Sequence, residues 1–245
     1  MSLAKRLLSV QPSGGGFAPT DIAGCALWLD AADTATITTS ATNLTGWTDK
    51  SGNGFDCIIS ATNSDVTGTS TLNGLNAMDL WVSSPSGFIF APITGVGELT
   101  TIFIVHEDGA PGQGSAQLFD FRSTSSGTPL HDDAALRGLS ARTRNDSDQI
   151  ASASVMSSSG PTVYVYRSDA AHVQAWANRS TATGRSSRSG SLTGLDRFSI
   201  GRNGVSNEYR YIGVVGEAVV YDNALSAGDR NDVEDYLAAK WGITL

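Results

Sequence analysis

The sequence predicts an all-β domain built from two packed antiparallel sheets, with one α-helix at its C-terminus. Three observations carry this. The 245 residues include 27 glycines, and only 16% are charged against 40% hydrophobic. That composition suits short apolar runs parted by turns. Those runs are rich in β-branched and aromatic residues, and several alternate apolar with polar positions. Only one segment, near the end, shows the spacing of an amphipathic helix.

Residues 1–19 differ from the rest. A short basic and apolar stretch with Leu3, Leu7, Leu8 and Val10 is followed by Pro12, Gly14–Gly16 and Pro19. This reads as a docking arm on a flexible linker, with a frayed terminus as the alternative. Residues 20–245 are expected to form a single domain. After Lys5 and Arg6 the apolar stretch is too short for a secretion signal.

From Ile22 onward strands and turns alternate. Candidate strands are Cys25–Asp30, Asp56–Ser60, Ala77–Val82, Phe88–Phe90, Thr100–His106, Gln117–Arg122, Leu136–Arg142, Thr162–Arg167, His172–Ala177, Arg197–Gly201 and Tyr211–Tyr221. In Thr162–Arg167 the valines and tyrosines fall on opposite faces. Ser51–Gly54, Asn73–Gly74 and Asn203–Gly204 supply turn chemistry. Leu99–Val105 and similar apolar runs fall far short of the roughly 20 residues of a membrane helix.

The helix begins at Ser226, a good N-cap, with Asp229 placed to complete the cap. Val233, Tyr236, Leu237 and Trp241 form one apolar stripe, and Gly242 stops the helix. It is expected to close one end of the sandwich.

Charge narrows the partners. The net charge is −8, which disfavours nucleic acid and anionic membranes. Five arginines lie between Arg179 and Arg202; they are either solvated hairpin residues or a grip for an acidic glycan. Cys25 and Cys57 are too few for a disulfide framework. Free buried thiols and a single inter-strand bridge both remain open.

Two stretches carry a resemblance. Ala26–Leu–Trp–Leu–Asp–Ala–Ala–Asp33 and Gly46–Trp–Thr–Asp–Lys–Ser–Gly–Asn–Gly54 open the domain. Gly216–Glu–Ala–Val–Val–Tyr–Asp–Asn–Ala–Leu–Ser226 leads into Tyr236–Leu–Ala–Ala–Lys–Trp–Gly–Ile–Thr–Leu245 at its close. Together they resemble the laminin-G/pentraxin-like domains of the concanavalin A-like lectin/glucanase superfamily, in the version found in bacteriophage structural proteins. The resemblance implies a jelly-roll sandwich over residues 22–245. Trp28, Trp47, Trp81 and Trp241 then read as core residues, with exposed sugar platforms as the alternative. Asp49 reads as a cap on the Lys50–Gly54 turn.

Many such domains bind Ca2+ through clustered oxygens. Asp30, Asp33, Asp49 and Asn53 crowd the first loops, and either Ca2+ ligation or turn capping would use them. No other cofactor is expected. For carbohydrate, Trp176 with Asn178 and Arg179 offers an aromatic platform beside polar groups, and Asn207 with Tyr209 is a second option.

Catalytic patterns are missing. Glycosidases of this superfamily place paired glutamates in an E-x-D-x-x-E strand pattern, and Glu98, Glu107, Glu208, Glu217 and Glu234 do not match it. No nucleophile elbow, metalloprotease pair or phosphate loop occurs. The expectation is therefore a protein without enzymatic activity and without a catalytic residue. It would be a phage virion accessory protein, a capsid decoration, fibre or tail component, oligomeric on the particle and docked to other virion proteins through residues 1–19. The alternative is a lectin for host-surface or environmental carbohydrate, with a divergent glycosidase as a third reading.

Overall fold

A computed structural model describes residues 16–41, 43–59, 67–80, 89–97, 99–108, 117–123, 133–137, 140–144, 149–154, 160–180, 184–187, 194–201 and 211–245. In chain order the strands are β1 (Cys25–Asp30), β2 (Ile37–Ser40), β3 (Asn43–Trp47), β4 (Ile58–Ile59), β5 (Thr67–Leu72) and β6 (Leu75–Asp79). Next come β7 (Ile89–Ala91), β8 (Thr100–Asp108), β9 (Gln117–Arg122), β10 (Asp133–Arg137), β11 (Ser140–Arg144) and β12 (Gln149–Ser154). The last are β13 (Thr162–Ser168), β14 (His172–Ala177), β15 (Gly184–Ser187), β16 (Arg197–Ile200) and β17 (Gly213–Tyr221), followed by α1 (Ala227–Trp241). No helix among the described residues is long and apolar enough to cross a membrane.

The strands form two antiparallel sheets. The larger has ten strands in the order β15-β14-β13-β8-β17-β6-β5-β3-β2, with β1 also paired to β17. The smaller has seven, in the order β12-β11-β10-β9-β16-β7-β4. Side chains from their facing surfaces interdigitate, as in any β-sandwich. Ile102 and Ile104 of β8, Tyr164 and Tyr166 of β13 and Val220 of β17 meet Phe119, Phe121 and Phe198 of the smaller sheet. Phe198 lies 5.9 Å from Phe119 and 5.8 Å from Phe121, ring centre to ring centre. The valines and tyrosines of β13 do point to opposite faces, because Val163 and Val165 belong to a second core.

That second core corrects the expected place of the helix. α1 does not close an end of the sandwich; it lies on the outer face of the ten-stranded sheet. Val233, Leu237 and Trp241 pack there with Phe103, Val105, Val163, Val165 and Val219. The reason is in the central strands. β8, β13 and β17 are apolar on both faces, so both need a cover. Each of the three helix side chains is almost wholly buried, worth roughly 1.5–3 kcal/mol apiece. Ser226 caps the helix start by accepting from Asp229 N at 3.2 Å. Gly242 adopts a left-handed conformation at the other end, φ 64°.

Several expected strands shift by a few residues, and Leu136–Arg142 resolves into parts of β10 and β11. β2, β3, β5, β12 and β15 were not anticipated; they are Thr/Ser/Gly-rich and read as loop. Trp28, Trp47 and Trp241 are all buried, whereas Trp81 lies outside the described residues. Both cysteines are free, Cys57 buried and Cys25 half-buried. Burial pushes the Cys25 thiol up to about 12, helped by Asp49 and Asp222. Neither thiol should react with iodoacetamide at pH 8 until the chain is unfolded in urea. Rapid labelling of the native protein would contradict this burial.

β17 changes partner at Gly216. Val214 and Val215 pair with β6, and Glu217 to Tyr221 pair with β1. The Trp241 ring sits on the glycine so closely that a Cβ there would lie 2.7 Å from it. Gly216→Ala should lower the unfolding free energy by about 1–3 kcal/mol through overpacking. Urea denaturation measures this, and an unchanged midpoint would show that the Trp241 contact is not tight.

Candidate functional site

At the corner where β1, the 47–56 loop, β17 and α1 meet, the residues expected to ligate Ca2+ are engaged with protein groups. Asp30 and Glu217 are a cross-strand pair. Asp30 holds Lys240 Nζ at 2.6 Å and Lys50 Nζ at 2.9 Å, and Asp33 holds Lys50 at 2.8 Å. The Lys50 hydrogen bond keeps the Asp33 carboxyl below the usual carboxylate range. Asp49 caps the turn, accepting from Trp28 N, Ser51 N and Phe55 N at 2.8–3.1 Å. Asn53 points its amide nitrogen inward, donating to Cys25 O and Ala26 O at 3.0 Å. Two ammonium groups thus stand where a cation would. Among the described residues no group of three or more His, Cys, Asp or Glu is arranged to hold a metal ion.

Glu217 lies at the centre of this corner and is fully buried. It accepts from Trp28 Nε1 at 2.7 Å, Trp241 Nε1 at 2.8 Å, Lys240 Nζ at 2.7 Å and Tyr236 Oη at 3.1 Å. Burial pushes its carboxyl up, and the Lys240 charge pulls it back. Tyr236, Lys240 and Trp241 lock the helix to the sheet, and Trp28 ties β1 to the same carboxylate.

Trp176 and Arg179 also meet α1, whereas Asn178 bonds to β13. Trp176 is only 7% exposed, and the Arg230 guanidinium covers its ring at 4.2 Å. Asn178 Oδ1 accepts from Val163 N at 2.8 Å. Arg179 donates to Asn231 O at 2.7 Å and Asp235 Oδ1 at 2.8 Å, and reaches Glu234 at 3.3 Å. Asn178 and Arg179 are both left-handed, φ 46° and 54°. They form a tight turn closed by Ser180 N to Ala177 O at 2.9 Å. Asn207 and Tyr209 lie outside the described residues, as do Leu3, Leu7, Leu8 and Val10.

A different surface gathers ligand-type chemistry. The inward residues of β9 and β16 are Phe119, Phe121, Phe198 and Ile200. Alternation therefore turns Asp120, Arg122, Arg197 and Ser199 to the outer face of the seven-stranded sheet. Pairing aligns them, Arg197 opposite Arg122 and Ser199 opposite Asp120. Phe90 of β7 stands opposite Ser199, and Ile58 of β4 opposite Phe90. Arg122 Nε donates to Asp120 Oδ2 at 2.5 Å, and the Arg197 guanidinium sits 4.6 Å over the Phe90 ring. Asp120 and Ser199 are fully buried and Arg122 nearly so. Ser199 Oγ has no hydrogen-bond partner among the described residues. A buried orphan hydroxyl costs stability, and at full burial it is closed to a ligand as well as to water. Arg197 and Phe90 are half-buried and Ile58 is exposed, so the open part of this face is its β16–β7–β4 margin. The sequence showed these segments as strands and singled out none of Asp120, Arg122, Arg197 and Ser199.

No family profile matches the sequence, and no curated protein matches it. Solved structures do. The binding domain of Botulinum Neurotoxin DC in complex with SialylT superposes with a TM-score of 0.62 at 11% identity, covering 92% of this chain and 55% of that one. Trypanosoma rangeli sialidase in complex with sialic acid gives 0.59 at 15% identity, covering 94% of this chain and 35% of the sialidase. Domain 4 of AbnA, a GH43 extracellular arabinanase from Geobacillus stearothermophilus, in complex with arabinotriose, gives 0.57 at 12% identity, covering 86% of this chain and 98% of that domain. The chain spans about a third of the sialidase and about half of the neurotoxin binding domain. At these identities the likeness establishes the fold alone, a β-sandwich. It also corrects the expectation of a protein without enzymatic activity, because this sandwich occurs in a sialidase and an arabinanase. A missing E-x-D-x-x-E pattern excludes one arrangement of catalytic carboxylates only.

Arg179→Ala and Arg179→Gly remove the same contacts to α1, but only glycine accepts the left-handed backbone without cost. The alanine variant should be less stable than the glycine variant by about 1 kcal/mol. Equal unfolding midpoints would show that this turn carries no strain.

Proposed function

We propose that the domain binds carbohydrate at the β16–β7–β4 margin of the seven-stranded sheet. The observation that carries this is the Arg197 guanidinium, 4.6 Å over the half-buried Phe90 ring and beside the exposed Ile58. The comparisons support it. SialylT, sialic acid and arabinotriose are the molecules in complex with the three structures described above. Glycan binding is also the step that a lectin and a glycosidase share. The wider proposal, that residues 1–19 carry the domain on a virion, rests on the sequence resemblance.

Arg197→Ala removes the stacked guanidinium from this margin. The change should weaken glycan binding at least about tenfold, the worth of a hydrogen bond to a charged group, while the circular dichroism of the sandwich stays unchanged. The probe is an array holding arabinotriose, sialylated oligosaccharides and bacterial polysaccharides, followed by calorimetry on the hits. Undiminished binding by the variant would remove this face from consideration.

A further inference from the structure

β2 ends the ten-stranded sheet, and among the described residues β3 is the one strand it pairs with. The other sheet ends lie against strands of the opposite sheet. β15 meets β12, and β4 meets β3, with Cys57 N donating to Trp47 O at 2.9 Å. Thr38, Thr39 and Ser40 are all exposed, and residues 34–41 include no charge and no proline. Edge strands usually carry such residues, or a bulge, to prevent pairing with another chain. The bulge here sits on β3, where Thr45 is the extra residue, so β2 stays regular. Alternation fixes which backbone groups point outward. Thr48 N donates to Thr36 O at 2.8 Å, so the Thr36 carbonyl, and with it the groups of Thr38 and Ser40, face β3. Ile37 and Thr39 turn theirs to the open edge. The Ile37 N–H is already used, donating to Thr34 O. The edge therefore offers the Ile37 carbonyl, both groups of Thr39 and the Ala41 N–H, a set symmetric about Thr39.

We infer that β2 pairs antiparallel with β2 of a second copy of this chain, across a two-fold axis at Thr39. Thr39 of each copy exchanges both hydrogen bonds with Thr39 of the other, and each Ile37 carbonyl accepts from the Ala41 N–H of the other copy. A strand with an unbroken ladder would bring a carbonyl to the occupied Ile37 N–H. The second copy instead turns away there, because Ala41 is left-handed, φ 55°. Opposite residues are Thr39 with itself and Thr38 with Ser40, hydroxyl pairs of the kind that stabilise cross-strand contacts. Each copy has a net charge of −8, yet its uncharged 34–41 segment sets no like charges against one another. The interface is isologous, so it closes at two copies. It is independent of the glycan reading.

Sedimentation velocity on the full chain from about 10 µM to about 1 mM tests this, a range suited to an interface of one short strand. The chain should pass from monomer to dimer within it. Thr39→Pro removes the outward N–H and leaves the β3 side intact. It should abolish the dimer while the far-UV circular dichroism stays unchanged. Thr39→Cys should give a disulfide-linked dimer on mild oxidation, because bonded antiparallel Cα atoms stand about 5.5 Å apart. Ser40→Cys should not, since the two Ser40 Cα atoms lie roughly 8 Å apart in this register. A monomer throughout the range, a dimer that survives Thr39→Pro, or equal cross-linking by Thr39→Cys and Ser40→Cys overturns the proposal.

Discussion

The Glu217 carboxylate, buried beneath the C-terminal helix, is the interaction on which the architecture turns. A charge so placed costs several kcal/mol of lost hydration, and only close partners offset it. Glu217 has four: Trp28 on β1, Tyr236, Lys240 and Trp241 on α1. These come from two parts of the chain, β1 and α1, that are distant in sequence and adjacent only in the fold. Lys240 then reaches Asp30, which reaches Lys50, which reaches Asp33. The network therefore fixes how the helix, the first strand, the last strand and the 47–56 loop sit together. It also explains why two tryptophans are needed, because each donates its single N–H to a different oxygen of the same carboxylate.

One consequence concerns where a ligand can bind. With α1 clamped in place, the outer face of the ten-stranded sheet is closed by Val233, Leu237 and Trp241. The hairpin turn at Asn178–Arg179 adds a second clamp, holding Glu234, Asp235 and the Asn231 carbonyl. Trp176, which has the composition of a sugar platform, is covered by Arg230. The outer face of the seven-stranded sheet carries polar groups and lies away from α1. Division of labour between the two sheets follows: one takes the helix, the other leaves Arg197, Phe90 and Ile58 accessible at its margin.

Much of the fold was legible because its signals are local. Ser226, Asp229 and Gly242 mark the helix ends wherever the helix packs, and the apolar stripe marks its buried side. Asn73–Gly74 marks a hairpin, with φ 51° and 80° as that turn requires. The helix position was not legible, because both faces of β8 and β13 had to be seen as apolar together. β2, β3 and β5 were missed because Thr, Ser and Gly pair through their backbones without announcing a buried face. The neighbours of the expected site residues were not legible for a related reason. Asp30 and Asp33 have the residue types of a cation site, yet their partners Lys50 and Lys240 arrive from 17 to 210 positions away. Arg179 looked like a free binding group because Glu234 lies 55 residues further on.

The most direct test of this account is native-state hydrogen exchange on the wild-type chain and on Glu217→Gln. Glutamine keeps the shape but puts an N–H donor where Trp241 or Lys240 now donates. In the wild type the α1 amides should exchange only with global unfolding, at the same free energy as β8 and β17. In the variant they should open separately, at a free energy lower by about 3 kcal/mol or more, while the sandwich amides of β9 and β16 keep their protection relative to one another. Unchanged protection of α1 in Glu217→Gln would contradict the claim that this carboxylate holds the helix to the sheet.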